Sequence, residues 1–213
     1  MKNIPSQVWQ LMIAYSLMMA GTSLMVLIAG IIGTQFAPSP GLATLPVALT
    51  IVGLALSTLP TGRLLDRFGR RRVFVAYGFL AVTAALLAAY SLIISSFVFF
   101  CLAAMMIGWS AAAGHQYRFA AMESVPVELA TRATSILLFG GILAAVVGPE
   151  IAVRGQHLLE AKFAGSYLLL AVSYLVGIII VSFYRESGNR VTEHEVRGRP
   201  MAEILRSPLI ILA

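Results

Sequence analysis

Two stretches of this chain contain no Asp, Glu, Lys or Arg: 60 residues from Asn3 to Gly62 and 45 from Val73 to Tyr117. Soluble domains carry about 25% charged residues, whereas here 11% of the 213 residues are charged, 59% are hydrophobic and mean hydropathy is +0.90. A helix needs about 20 apolar residues to cross a hydrocarbon core, so each stretch holds two crossings and a turn. Backbone polar groups in lipid must be satisfied within the segment, which makes those crossings helical. The expected fold class is therefore all-α and integral to a membrane.

Prolines, glycines and serines divide the chain into six spans. Span one covers Val8 to Phe36 and ends at Ala37-Pro38-Ser39-Pro40-Gly41. Span two covers Leu42 to Thr61, with Pro46 near its first turn and a kink expected at Pro60. Spans three (Arg72 to Ile94) and four (Phe97 to Met122) are joined only by Ser95-Ser96, so they are expected to be antiparallel neighbours. Span five covers Arg132 to Val153 and span six Gly165 to Tyr184. Residues 1–184 thus read as a six-span bundle and the polar residues 185–207 as a cytoplasmic linker. Residues 208–213, Pro208 to Ala213, read as the truncated start of a seventh span, and the chain is expected to be a fragment.

Lys2, the Arg63–Arg72 cluster, Arg118, Arg132 and the basic residues from Arg185 to Arg206 are separated by even numbers of crossings. One face therefore holds 13 of the 15 basic residues, leaving Arg154 and Lys162 opposite. The positive-inside rule makes both ends of the six-span unit cytoplasmic, in a multi-pass protein of the cell membrane. Orientation also accounts for the net charge of +6 and the pI of 9.9, so no nucleic-acid partner is expected. A cleaved signal peptide fits poorly, because the run from Val8 to Phe36 is too long for an h-region and lacks a clear small-residue cleavage site. Cys101 is the only cysteine, which excludes a disulfide framework and cysteine-based metal sites. Lys2 and Lys162 are the only lysines and neither follows a glycine-rich loop, so a phosphate-cradling ATPase is excluded and pumping must draw on gradients. Neither a cofactor nor a metal is expected.

The most specific motif follows span two: Gly62-Arg63-Leu64-Leu65-Asp66-Arg67-Phe68-Gly69-Arg70-Arg71-Arg72. A tight turn between helices calls for glycine, and arginines suit an anionic membrane surface. Asp66 at the membrane boundary calls for a partner, and Arg70 lies four residues on, within reach if the local geometry is helical. Here the chain resembles the major facilitator superfamily of secondary transporters, whose loop between spans two and three reads Gly-x-Leu-x-Asp-Arg-x-Gly-Arg-Arg; Gly62, Leu64, Asp66, Arg67, Gly69, Arg70 and Arg71 match. The resemblance implies the amino-terminal six-helix bundle of such a transporter, partnered in lipid by a missing C-terminal six-span half. It also implies a small-molecule substrate moved by alternating access, with proton coupling. Gly62, Asp66, Arg67, Gly69, Arg70 and Arg71 would form a conformational latch, with Asp66 facing a helix terminus of the other half. The family's bundles are inverted pairs of three-span repeats, but no repeat is visible in this sequence.

Two further stretches are similar to family patterns. Glu123-Ser124-Val125-Pro126 with Ala130-Thr131-Arg132-Ala133 is similar to the acidic-x-x-Pro and Arg-Gly-Arg-Ala pattern between spans four and five, Ala130 replacing the first arginine. Gly140, Ala144, Gly148 and Pro149 resemble the Gly-x-x-x-Gly-Pro element associated with antiporters, although Ala152 and Val153 stand where a later glycine pair would be. That element and plain helix packing remain equal readings. Ala104 occupies the place of an arginine found in many drug–proton antiporters.

Polar groups at membrane depth mark candidates for a path. Span four offers Trp109, His115, Gln116 and Arg118; His115 lies about 12 Å along the helix from Glu123 at ~1.5 Å per residue. His115 either takes part in proton coupling or bonds a neighbouring helix. Arg118 either holds an anionic substrate group or reaches the interface, Glu123 or Glu128. Span one offers Tyr15, Met19, Thr22 and Met25 at helical spacing, for substrate recognition or for packing. Glu150 either pairs with Arg154 or titrates at the outer mouth. The competing classes are a membrane-embedded enzyme and a non-transporting receptor or packing subunit. His115, His157 and His194 fall at three different depths and form no acid–base pair, so catalytic residues are not expected.

Overall fold

A computed structural model describes residues 4–184, so the linker and the seventh-span start expected over 185–213, like Lys2, lie outside the described residues. Six long helices follow one another: α1 (Ser6–Phe36), α2 (Leu45–Phe68), α3 (Arg70–Ile93), α4 (Phe97–Glu123), α5 (Val127–Gly155) and α6 (Ala164–Ser182), with a short 3-10 turn at Pro40–Leu42. All six are long and apolar enough to cross a membrane.

Several boundaries differ from expectation, and those of α2, α5 and α3 bear on the site. Helix α2 runs through Pro60 to Phe68 instead of ending at Thr61. Hydroxyls around the proline bond to carbonyls of the preceding turn, Thr58 to Leu54 at 2.8 Å and Thr61 to Ser57 at 2.6 Å. All of the arginine-rich motif except Gly69 is thus helix, residues 62–68 in α2 and 70–72 in α3. Helix α5 starts at Val127, directly after Pro126, because a proline preceding the first turn and Glu128 within it suit a helix N-terminus. Helix α3 starts at Arg70, two residues early. The expected tight α3–α4 turn is present, with Ser95 left-handed at φ 52° and the Ser96 N–H bonded to the Ser91 carbonyl at 2.8 Å.

The most extensive packing joins α1 to α5, α2 to α4 and α3 to α6. Exchanging the triplet α1–α3 with α4–α6 turns the α1–α5 pair into the α2–α4 pair and leaves α3–α6 paired, so the repeat hidden in the sequence emerges in the packing. Both symmetry-related seams rely on glycine. A Cβ on Gly148 of α5 would stand 2.6 Å from the Ala20 carbonyl oxygen of α1, and one on Gly108 of α4 would run into the Thr50 carbonyl of α2. Small residues at such contacts let backbones approach where lipid supplies no hydrophobic drive. Helices α2 and α5 are nevertheless the least covered: 22% and 28% of their most apolar segments are buried, against 56–67% for the other four. Each therefore turns a broad apolar face away from the bundle.

Candidate functional site

Gly69 is the sole residue between α2 and α3. Its φ of 81° lies in the left-handed region, open to glycine and costly for side chains with a Cβ. Its N–H closes α2 onto the Leu65 carbonyl at 3.0 Å, and its carbonyl accepts the first bond of α3, from Val73 at 3.3 Å. This reversal swings Arg70 onto a new axis, toward the last residue of α4. There Arg70 Nε donates to Glu123 Oε2 at 2.6 Å and Nη2 to Oε1 at 2.5 Å. The two-pronged pair is partly sheltered, with side-chain exposures of 20% and 33%.

The Asp66–Arg70 pairing expected from spacing is thereby corrected: an i,i+4 contact needs a continuous helix, and Gly69 interrupts it. Asp66 is exposed near the end of α2 and makes no hydrogen bond or ion pair with another described residue. Of the other residues expected to form a latch, Arg67 lies over the Phe68 ring at 5.2 Å, while Arg71 is exposed and has a contact of its own. Gly62 sits inside α2 with open space where a Cβ would be, so the turn itself does not require it. Beneath the turn, the Thr61 and Tyr77 hydroxyls bond at 2.8 Å in a buried site, tying α2 to α3. Sequence reasoning missed Tyr77 and did not assign Glu123 to the latch. The available signal was an acid in the α4–α5 region, on the same face as the arginine cluster.

A second feature lies at membrane depth. Tyr15, Met19, Thr22 and Ser23 of α1, with Gly141 and Ala144 of α5, line an open groove of about 380 Å³. The Thr22 hydroxyl donates to the Met19 carbonyl at 2.7 Å and so offers the groove acceptor lone pairs. Tyr15 is braced from behind: its ring meets Tyr117 at 6.2 Å, and Tyr117 stacks on Phe74 at 4.2 Å and 16°. Opposite, a Cβ on Gly141 would stand 3.6 Å from the Tyr15 ring, an ordinary contact distance, so Gly141 lies directly against that ring. The methionines divide. Both are buried, but Met19 still lines the groove, whereas Met25 lies in the core and its sulfur accepts a bond from Tyr167 at 3.4 Å.

The remaining candidates are not drawn into the groove lining. His115 and Arg118 are exposed on α4, and His115 bonds no other described residue. The Arg118 guanidinium lies over the Phe119 ring at 4.8 Å rather than on Glu123, which Arg70 occupies. Gln116 is half-buried and Trp109 packs against the core. Glu150 accepts a bond from Arg154 at 2.5 Å within α5, the structural alternative for that acid. Gly140 and Gly148 face α1, so the α5 glycines form a packing seam. Among the described residues no cluster of three or more His, Cys, Asp or Glu could hold a metal.

A bundle of six helices long and apolar enough to cross a membrane, packed as two exchanged triplets and clasped at its arginine-rich end, has the architecture of a multi-pass membrane protein. The match to the Major Facilitator Superfamily covers residues 11–213, and the chain belongs to that family. It is 34% identical over 206 residues to the riboflavin transporter RfnT of Brucella anthropi, covering 95% of this chain and 52% of the relative. It is also 29% and 23% identical, each over 171 residues, to the uncharacterized MFS-type transporters YdeG and YddS of Bacillus subtilis, covering 78% of this chain and 40% and 39% of those proteins. The chain thus spans about half the length, or less, of the relatives it matches.

Proposed function

We propose that this chain is the amino-terminal six-span half of a proton-coupled secondary transporter that moves a small solute across the cell membrane by alternating access. Riboflavin, or another planar heterocycle with a polar tail, is the substrate class suggested by the relative RfnT. The observation that carries the reading is the Arg70–Glu123 clasp beside Asp66, which has no hydrogen bond or ion pair among the described residues. The clasp holds the α2–α3 reversal against α4 and leaves the carboxylate on α2, one of the two least covered helices. A second six-span half would cover α2 and α5 and bring a helix N-terminus to Asp66. Such a contact favours a carboxylate by about 0.3–1 kcal/mol when exposed and more when sheltered. Making and breaking it would shift the balance of outward- and inward-open states.

In the groove, the braced Tyr15 ring offers a face to a planar solute, Met19 an adaptable apolar contact and Thr22 an acceptor. His115 is the proton-coupling candidate on α4, with its imidazole exposed. Both ends of the bundle are assigned to the cytoplasm by the basic loops. Family membership favours transport over a membrane enzyme or a passive receptor.

The test is uptake of labelled riboflavin into vesicles containing this chain joined to its C-terminal half, with and without an uncoupler. Accumulation that the uncoupler abolishes is expected. Chemical conversion of the solute would support the enzyme reading, and saturable binding without accumulation the receptor reading. Accumulation indifferent to the uncoupler would remove proton coupling.

A further inference from the structure

At the same basic end, a cleft of about 860 Å³ separates the start of α3 from the end of α6. Phe68, Arg71 and Arg72 stand at its mouth, Val75 and Phe79 continue down one wall, and Ser182 lies across. Arg72, Val75 and Phe79 follow one stripe of α3, so the wall passes from cation to hydrocarbon within two helical turns, about 10 Å at ~1.5 Å per residue. No acid is among the described residues lining the cleft.

From this order of groups we propose that the cleft binds an anionic phospholipid, with the phosphate at Arg72 and an acyl chain along Val75 and Phe79. Arg72 is the principal ligand. It is exposed and has no hydrogen bond or ion pair to another described residue, whereas Arg70 is committed to Glu123. Helix α3 begins at Arg70 without a side-chain cap, so its first-turn N–H groups and positive dipole end add to the attraction. Phe79 is 53% exposed, an aromatic face suited to a lipid tail. Basic pockets between membrane helices at the interface have this chemistry for lipid headgroups. The proposal needs only the membrane-crossing fold and holds whatever solute is carried.

Purified full chain in nanodiscs containing phosphatidylcholine and phosphatidylglycerol, released for native mass spectrometry, gives the readout. Wild type should retain phosphatidylglycerol in preference to phosphatidylcholine. Arg72→Gln should lower that retention about fivefold, the order expected for one basic residue near an anionic surface. Arg72→Lys should keep most of it, and Arg132→Gln, a basic residue outside the cleft, should leave it unchanged. Equal retention of the two lipids by wild type, or equal phosphatidylglycerol retention by wild type and Arg72→Gln, would overturn the proposal. So would displacement by inorganic phosphate at the concentration of lipid headgroup, which would reveal a simple anion site. Cross-linking from Val75→Cys into the chain beyond Tyr184, undiminished by added phosphatidylglycerol, would make that segment the occupant and overturn it too.

Discussion

Arg70–Glu123 and Glu150–Arg154 are both carboxylate–guanidinium pairs with a contact of 2.5 Å, yet they sit at opposite ends of the bundle and join different things. The first links residues 53 apart in sequence, on two helices, through two hydrogen bonds and with 20% and 33% exposure. The second links neighbouring turns of α5 through one described bond, with 74% and 53% exposure for Arg154 and Glu150. Proximity of charges is therefore a poor guide to consequence. What matters is whether the pair closes a loop between elements and how much water each charge has given up. The difference parallels the architecture: α1–α3 and α4–α6 exchange in their packing, but the reversal after α2 is a single glycine clasped to α4, whereas the α5–α6 connection runs over several residues from Gln156 to Phe163.

The sharpest break in this comparison is Glu123→Ala, which strands a partly sheltered guanidinium. It should lower the stability of the purified chain by about 2–3 kcal/mol, between exposed and buried pairs, and calorimetry in micelles measures it. Gly69→Ala should cost about 1–2 kcal/mol by forcing a Cβ into the left-handed region, and it should weaken the clasp by misdirecting Arg70. Arg70→Lys retains the charge but loses the planar fork, with an expected cost of about 1 kcal/mol. A double-mutant cycle on Arg70 and Glu123 should return a coupling of about 1–2 kcal/mol. At the other end, Glu150→Gln should change stability by less than about 0.5 kcal/mol, and its small effect should fade further with salt. Equal couplings in cycles on the two pairs would erase the distinction.

Six spans and the arginine-rich motif were legible because charge exclusion from lipid is written directly into composition. Tyr15 and Thr22 were legible as one face because seven residues make nearly two helical turns. The clasp was not. The i,i+4 rule that suggested Asp66–Arg70 assumes one helix, and the residue between them, Gly69, is where that assumption fails. Its partner, Glu123, lies 53 residues away, and only the folded bundle brings it near. The start of α5 was hidden for a related reason: Glu128 and Arg132 look like loop residues until Pro126 is taken as the start signal of a helix that extends beyond its apolar core.

The central claim is that Arg70 clasps Glu123 rather than Asp66 and that this clasp supports transport. Solute uptake into vesicles by the intact transporter tests it through charge exchange. The account predicts that Arg70→Glu and Glu123→Arg each slow uptake and that the two together recover much of the rate. Recovery by exchanging Asp66 and Arg70, with none from exchanging Arg70 and Glu123, would contradict it.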